Sequence, residues 1–151
     1  MSRTESLRHA RQGRPRPAEQ AATIEPARRE GDLLWLSGQV AMADGGLLAT
    51  GRVGAEVDLG QARRCARQCA INLLSVVEQT IGLDAVGSVL RLAVYVASDP
   101  TFTDQHLVAH AATDVFSEVI GGPPHVRTAL GVATLPLGSP VEADAVLVLR
   151  G

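Results

Sequence analysis

Two charged residues open two apolar stretches near the end of the chain. Arg127 begins Val126 to Thr134 and Glu142 begins Val141 to Leu149, in text built otherwise largely of Val, Ala, Leu and Gly. Ionised side chains among such neighbours cost several kcal/mol in lost hydration unless a partner or a bound ligand compensates. A guanidinium offers a planar fork that grips a carboxylate bidentately, as an ammonium cannot. A glutamate beside it could orient or deprotonate a water. The pair therefore predicts a site in which Arg127 could hold an anionic group with Glu142 as an acid–base partner. A structural ion pair across two strands, or across a subunit interface, accounts for the same charges without chemistry.

Other reactive types carry less. Ser37 lacks the surroundings of an activated nucleophile, and Gly38 after it fits a strand bulge. His106 and His110 stand four apart on a helix-like stretch, opposite its apolar stripe; without an H-E-x-x-H pattern, a zinc site with His125 or Glu118 is not expected. Asp144 reads as a group that orients a neighbour. Cys65 and Cys69, also four apart, cannot readily form a disulfide within one helix and read as small buried hydrophobes. All 14 basic residues are arginine, so lysine Schiff-base chemistry is absent, a lysine-anchored pyridoxal phosphate included.

The elements that must position these residues follow from periodicity. Residues 1–22 are rich in Arg and Pro without an apolar period, and read as a mobile arm that could touch a partner or an anion. Residues 23–151 read as one domain. Ala27 to Met42 reads as one buried strand that ends in, or bulges at, the small residues Ser37-Gly38, Asp44-Gly45-Gly46 as a turn, and Leu47 to Val53 as a short return strand. Asp58 with Gln61 forms a capping-box-like start to a helix that ends near Gly82. Val89 to Val96 is a nearly all-apolar strand, and a second helix is predicted from about Thr103 to Ile120. Val126 to Thr134 and Val141 to Leu149 are then two further strands, adjacent across a Leu-Pro-Leu-Gly-Ser-Pro turn, with Glu142 beside Arg127.

This order predicts an α+β fold, a mixed sheet with two helices on one face. Val94, Val96, Val146 and Val148, with Ala129, Gly131 and Ala133, are expected to leave the other face apolar, which a homo-oligomer would cover. At 151 residues, 46% hydrophobic, one domain suffices; a net charge of −2 and 3% aromatics argue against a nucleic-acid partner. No apolar run reaches membrane-spanning length and no signal peptide opens the chain, so a cytoplasmic, membrane-free protein is expected.

The chain resembles the reactive-intermediate-deaminase family, RidA or YjgF-like, over about residues 24 to 150. The carriers are Leu36-Ser37-Gly38-Gln39, Val94-Tyr95-Val96, Val126-Arg127-Thr128, and Leu135-Pro136 followed by Val141-Glu142-Ala143-Asp144-Ala145. Phe102-Thr103-Asp104-Gln105 and the Leu-Pro-Leu-Gly turn resemble one branch of that family. The resemblance implies a chorismate-mutase-like fold, a homotrimer with clefts between subunits, no cofactor, and hydrolysis of enamines and imines such as 2-aminoacrylate to 2-oxo acids and ammonia. It places Arg127 on the substrate carboxylate and Glu142 near the attacking water. Ser37, Gly38, Ala129 and His110 then line the pocket, Ala129 where the family often has cysteine and His110 where many have asparagine. The tyrosine that archetypal members carry before the first strand is missing, its neighbourhood being Ile24 to Ala27.

Three other functions compete. A non-catalytic trimer could bind or sense a small carboxylate, and a biosynthetic enzyme could process a specialised imine. RNA cleavage, attributed to some relatives, is disfavoured by the absence of a general basic face, the few aromatics and the expectation of no catalytic histidine pair near Arg127.

Overall fold

The computed structural model describes residues 1–11 and 24–151. Strands β1 (Ala27–Glu30) and β2 (Leu33–Val40) are the two arms of a tight hairpin, not one strand from Ala27 to Met42. Gly31, at φ +59°, starts the turn that separates them, a conformation open to glycine at little cost. The bulge expected at Ser37-Gly38 is present: the β2 pairing register shifts between Leu36 and Gln39. Strands β3 (Met42–Ala43) and β4 (Gly46–Leu47) form a short hairpin whose turn residues, Asp44 and Gly45, both have positive φ. The return strand stops at Leu47 and does not reach Val53, because Gly51 and Gly54, at φ +114° and +90°, break the extended run.

Helix α2 (Leu59–Thr80) begins with the capping box read in the sequence. Asp58 Oδ1 accepts from the Gln61 N–H at 2.8 Å, and Gln61 Oε1 accepts from the Asp58 N–H at 3.0 Å. It ends where the Gly82 N–H, at φ +77°, reaches the Val77 carbonyl. Cys65 and Cys69 are buried on its inner face, and burial pushes the Cys65 thiol up to about 11, so neither is a reactive thiolate. Strand β5 (Val86–Ala97), helix α3 (Gln105–Val119), β6 (Val126–Val132) and β7 (Val141–Leu149) complete the domain.

The main sheet runs β1-β2-β7-β5-β6, with β6 parallel to β5 and every other pairing antiparallel. Strands β6 and β7 are therefore not neighbours, contrary to the reading of the sequence. The reason is topological. β5, α3 and β6 form a crossover unit in which the helix returns the chain beside β5 in parallel, so β6 takes one flank of β5 and β7 must take the other.

Cross-strand partners share a face of a pleated sheet. Leu92, Val94 and Val96 of β5 and Val141, Ala143, Ala145 and Leu147 of β7 all point into the core under α2 and α3. Val94 and Val96 thus belong to the helix side and not to the opposite face; Ala129 and Gly131, their partners on β6, follow them. The open face is mixed. Trp35, Val126 and Leu130 are 55%, 66% and 47% exposed on it, yet between them Tyr95 Oη donates to Asp144 Oδ2 at 2.8 Å and Arg91 lies 3.5 Å from Asp144 Oδ1.

The N-terminal residues differ from the expected arm. Helix α1 (Arg3–Ala10) starts at a Ser2/Glu5 capping box and buries Leu7, 1% exposed, and Ala10 against the core. Arg3 donates to the carbonyls of Leu83, Val86 and Ile120, and Thr4 Oγ1 donates to Glu78 Oε1 at 2.9 Å. The arm expected further along, over 12–22, lies outside the described residues. No helix among the described residues is long and apolar enough to cross a membrane.

Truncating Leu7 to Ala should lower the free energy of unfolding by about 2–4 kcal/mol, read from urea transitions. A change within about 0.5 kcal/mol, the range of ordinary surface substitutions, would mean that α1 does not seat on the domain.

Candidate functional site

Arg127 sits near the start of edge strand β6, paired with the core residue Leu92, which turns its side chain toward the helices. There Nη1 donates to His110 Nδ1 at 2.9 Å and to Thr113 Oγ1 at 3.1 Å. His110 and Thr113 are three apart on α3 and so share one face of that helix. Because a guanidinium has only donors, His110 Nδ1 must be unprotonated, which fixes the neutral tautomer with its proton on Nε2. Thr113 Oγ1 in turn lies 3.2 Å from His125 Nε2. Burial, and then the Arg127 charge, push the His125 pKa down, so this ring is neutral at pH 7.

Both hydrogens of Nη1 are consumed by these two acceptors. Nε–H and the two hydrogens on Nη2 have no protein partner among the described residues. Arg127 therefore offers a side-on fork of two nitrogens, the arrangement that pairs with a planar carboxylate. A cavity of about 350 Å³ adjoins it between the end of α3 and the start of β6, with Arg127, Thr113 and His125 in its wall.

Glu142 lies elsewhere. It pairs with Tyr95 and Val40 on the open face, whereas Arg127 is on the helix side with β5 in between. The expectation that Glu142 lies beside Arg127 within one chain is thereby overturned, by strand order and by pleat. Glu142 is half-buried, and burial together with nearby Asp144 pushes its carboxyl above the ordinary range. Its carboxylate rests on Gly38: a Cβ there would stand 3.1 Å from Glu142 Cδ and closer still to Oε1. Ser37 donates its hydroxyl to the Glu25 carbonyl at 2.6 Å and its N–H to Pro26 at 2.9 Å, so the bulge is tied to the chain preceding β1.

The six residues singled out in the sequence thus fall into two groups. Arg127, His110 and Ala129 share the helix side of β6 and α3, while Glu142, Gly38 and the Ser37 bulge belong to the β2–β7 side. Each half lacks what the other has.

The family model for endoribonuclease L-PSP matches residues 15–149. The chain belongs to this family, the YjgF/RidA family. Protein TCP17 of Trypanosoma cruzi is 41% identical over 122 residues, 78% of this chain and 75% of that protein. The crystal structure of Atu1372 of Agrobacterium tumefaciens, a protein of unknown function, is 34% identical with a TM-score of 0.88, covering 98% of this chain and 95% of that one. RidA from the Antarctic bacterium Psychrobacter sp. PAMC 21119 shares the fold at 23% identity and a TM-score of 0.60, over 89% and 94% of the two chains.

Within this L-PSP chain, sequence reasoning missed Thr113 and His125 as parts of the arginine site. His110–Thr113 at i, i+3 and His125 two residues before Arg127 were the available signals, but linking them requires knowing that α3 packs over β6. The same packing sets two histidines near Arg127: His110 touches it and His125 reaches it through Thr113. Among the described residues no group of three or more His, Cys, Asp or Glu could hold a metal ion, and His106 meets His110 only ring to ring, 6.0 Å between centroids.

Gly38→Ala should destabilise the fold by about 1 kcal/mol or less, since the atom it meets is the movable end of Glu142. A Glu142→Ala change in the same chain should relieve most of that, a coupling that a double-mutant cycle on unfolding free energies measures directly. Glu142 also predicts a pH dependence. Its folded pKa lies above the ordinary 4.5, so between 4.5 and that folded value the native state holds the proton more tightly than the unfolded chain. Stability contributed by the protonated carboxyl is lost as pH rises through this window. Glu142→Gln should remove that loss, and chemical denaturation at a series of pH values from 4 upward would detect it.

Proposed function

We propose that this chain hydrolyses 2-imino acids and their enamine tautomers to 2-oxo acids and ammonia, as a homotrimer whose site draws Arg127 from one protomer and Glu142 from its partner. The observation that carries the reading is the guanidinium held by one nitrogen against two neutral acceptors, with its other edge free. A carboxylate bound on that edge leaves the adjacent imine carbon fixed and planar. Water adds to the carbon of the protonated imine while Glu142 of the partner takes its proton; Glu142 returns that proton to the carbinolamine nitrogen, and the C–N bond breaks as the hydroxyl gives up its proton to become the keto oxygen, releasing ammonia and the 2-oxo acid. Burial raises the Glu142 carboxyl toward the pH at which it works, which suits a group that must take and return a proton. The division between two protomers is supported by the placement of the two groups on opposite faces of one sheet.

A second reading, RNA cleavage, is favoured by the family's description and by the two histidines near Arg127. It requires one of them to act as a protonated acid, which the low pKa of His125 opposes.

Keto-acid release from freshly generated 2-iminopropanoate separates these readings when run beside cleavage of a labelled single-stranded RNA. The deaminase reading expects acceleration by the wild type. Arg127→Ala should cost about 10²-fold in kcat/KM and Arg127→Lys should recover little of it, since two charge-assisted hydrogen bonds are lost. RNA cleavage without imine hydrolysis would sink the deaminase reading. Thr113→Val should raise KM about tenfold with less effect on kcat, the cost of one hydrogen bond to the clamp, and Thr113→Ser should restore it.

A further inference from the structure

The cavity beside Arg127 has no role in the chemistry described so far. Its walls are Val89, Phe116 and Ser117, the turn 121–124, and His125, Thr113 and Arg127 from the arginine site. Arg127 itself lines the cavity, together with Thr113 that holds it, so a carboxylate bound by this guanidinium lies close to the cavity. We propose that this cavity is the subsite for the substrate's side chain, and that it selects 2-imino acids with an uncharged aliphatic or aromatic side chain larger than a methyl group. The assignment rests on the deaminase reading.

Three properties of the cavity point to that class. Its volume of about 350 Å³ lies within the range of pockets that take small organic ligands, far more than a methyl group fills. Its walls hold no carboxylate, and Pro123 and Pro124 contribute apolar surface beside the neutral Thr113, Ser117 and His125. It opens beside the C-terminal turn of α3, the negative end of the helix dipole, which disfavours an anionic side chain. The neighbouring Arg127 disfavours a cationic one.

The wall is also stiff. Gly121 and Gly122, at φ +66° and +87°, reverse the chain immediately after α3, and Pro123 and Pro124 fix the backbone that follows. Arg3 of α1 donates to the Ile120 carbonyl at 3.1 Å, which ties the start of this turn to the helix bed. A preformed wall discriminates by shape, since it does not yield to a poorly fitting side chain.

The test compares imines generated in place from alanine, leucine and phenylalanine by an amino-acid oxidase, on the wild-type protein and on Ser117→Phe and Ser117→Leu. Ser117 is exposed on α3, so either larger side chain can enter the cavity without repacking the core; circular dichroism confirms the fold. The expected result is a wild-type kcat/KM higher for the leucine- or phenylalanine-derived imine than for the alanine-derived one. That ratio should fall at least tenfold in Ser117→Phe and less in Ser117→Leu. A ratio unchanged by both substitutions overturns the subsite. If no imine is turned over, the deaminase reading fails on its own and calorimetry with 4-methyl-2-oxopentanoate against pyruvate decides the subsite. A preference for the larger acid that Ser117→Phe abolishes sustains it as a ligand site, while equal or absent binding overturns it.

Discussion

The pleat of a single strand governs how this molecule can assemble a site. β5 lies between β6 and β7, and alternation along it sends Leu92 to the helices and Tyr95 to the open face. Arg127 is paired with the first and Glu142 with the second, so the two groups best suited to chemistry are fixed on opposite sides of one sheet. No rotamer change brings them together, because a layer of hydrogen-bonded backbone stands between. A chain so arranged must use its halves separately or complete each with a second copy. The exposed Trp35, Val126 and Leu130 on the open face supply an apolar reason for a second copy to dock, and the Glu142 carboxylate shares that face.

How an arginine is held decides what it can do, and the chain contains an internal contrast. Arg91 lies against Asp144, a carboxylate that already occupies the place an anionic ligand would take. Arg127 is held by an imidazole nitrogen and a hydroxyl, both neutral. Neutral acceptors orient the guanidinium without cancelling its charge, so the attraction for an incoming carboxylate is retained in full while the conformational cost of fixing the side chain has been met in the folded protein. Placement on an edge strand adds access, since β6 has a strand neighbour on one side only.

The legible parts of the sequence were those whose signal is local. Asp58 and Gln61 announced α2, the small residues at Ser37-Gly38 announced the bulge, and glycine and proline runs bounded α3 and β6. The capping box at Ser2 and Glu5 was equally local, but with so few apolar positions beside it the helix had no visible core face, and its burial of Leu7 depends on a groove made by distant elements. Strand order was illegible for the same reason: two strands joined by a short turn pair by default, and only the crossover through α3 displaces β6 to the far side of β5. Residue type and resemblance singled out Arg127 and Glu142 as candidates, whereas their division between two faces was illegible, because parity counts for nothing until the neighbours of each strand are known.

The histidines sharpen the choice between imine and RNA chemistry. General acid–base cleavage of a phosphodiester needs one imidazole able to carry a proton and another able to accept one. His110 spends its Nδ1 lone pair on Arg127, and His125 is kept neutral by burial and by that same cation. Protonating His110 at Nδ1 would set two donors against each other and release the guanidinium from one of its two supports. The contacts that leave the outer edge of Arg127 open are thus the ones that withdraw the histidine pair from acid–base work, and on the proposed deaminase reading the substrate brings its own electrophilic carbon and needs only to be held for water.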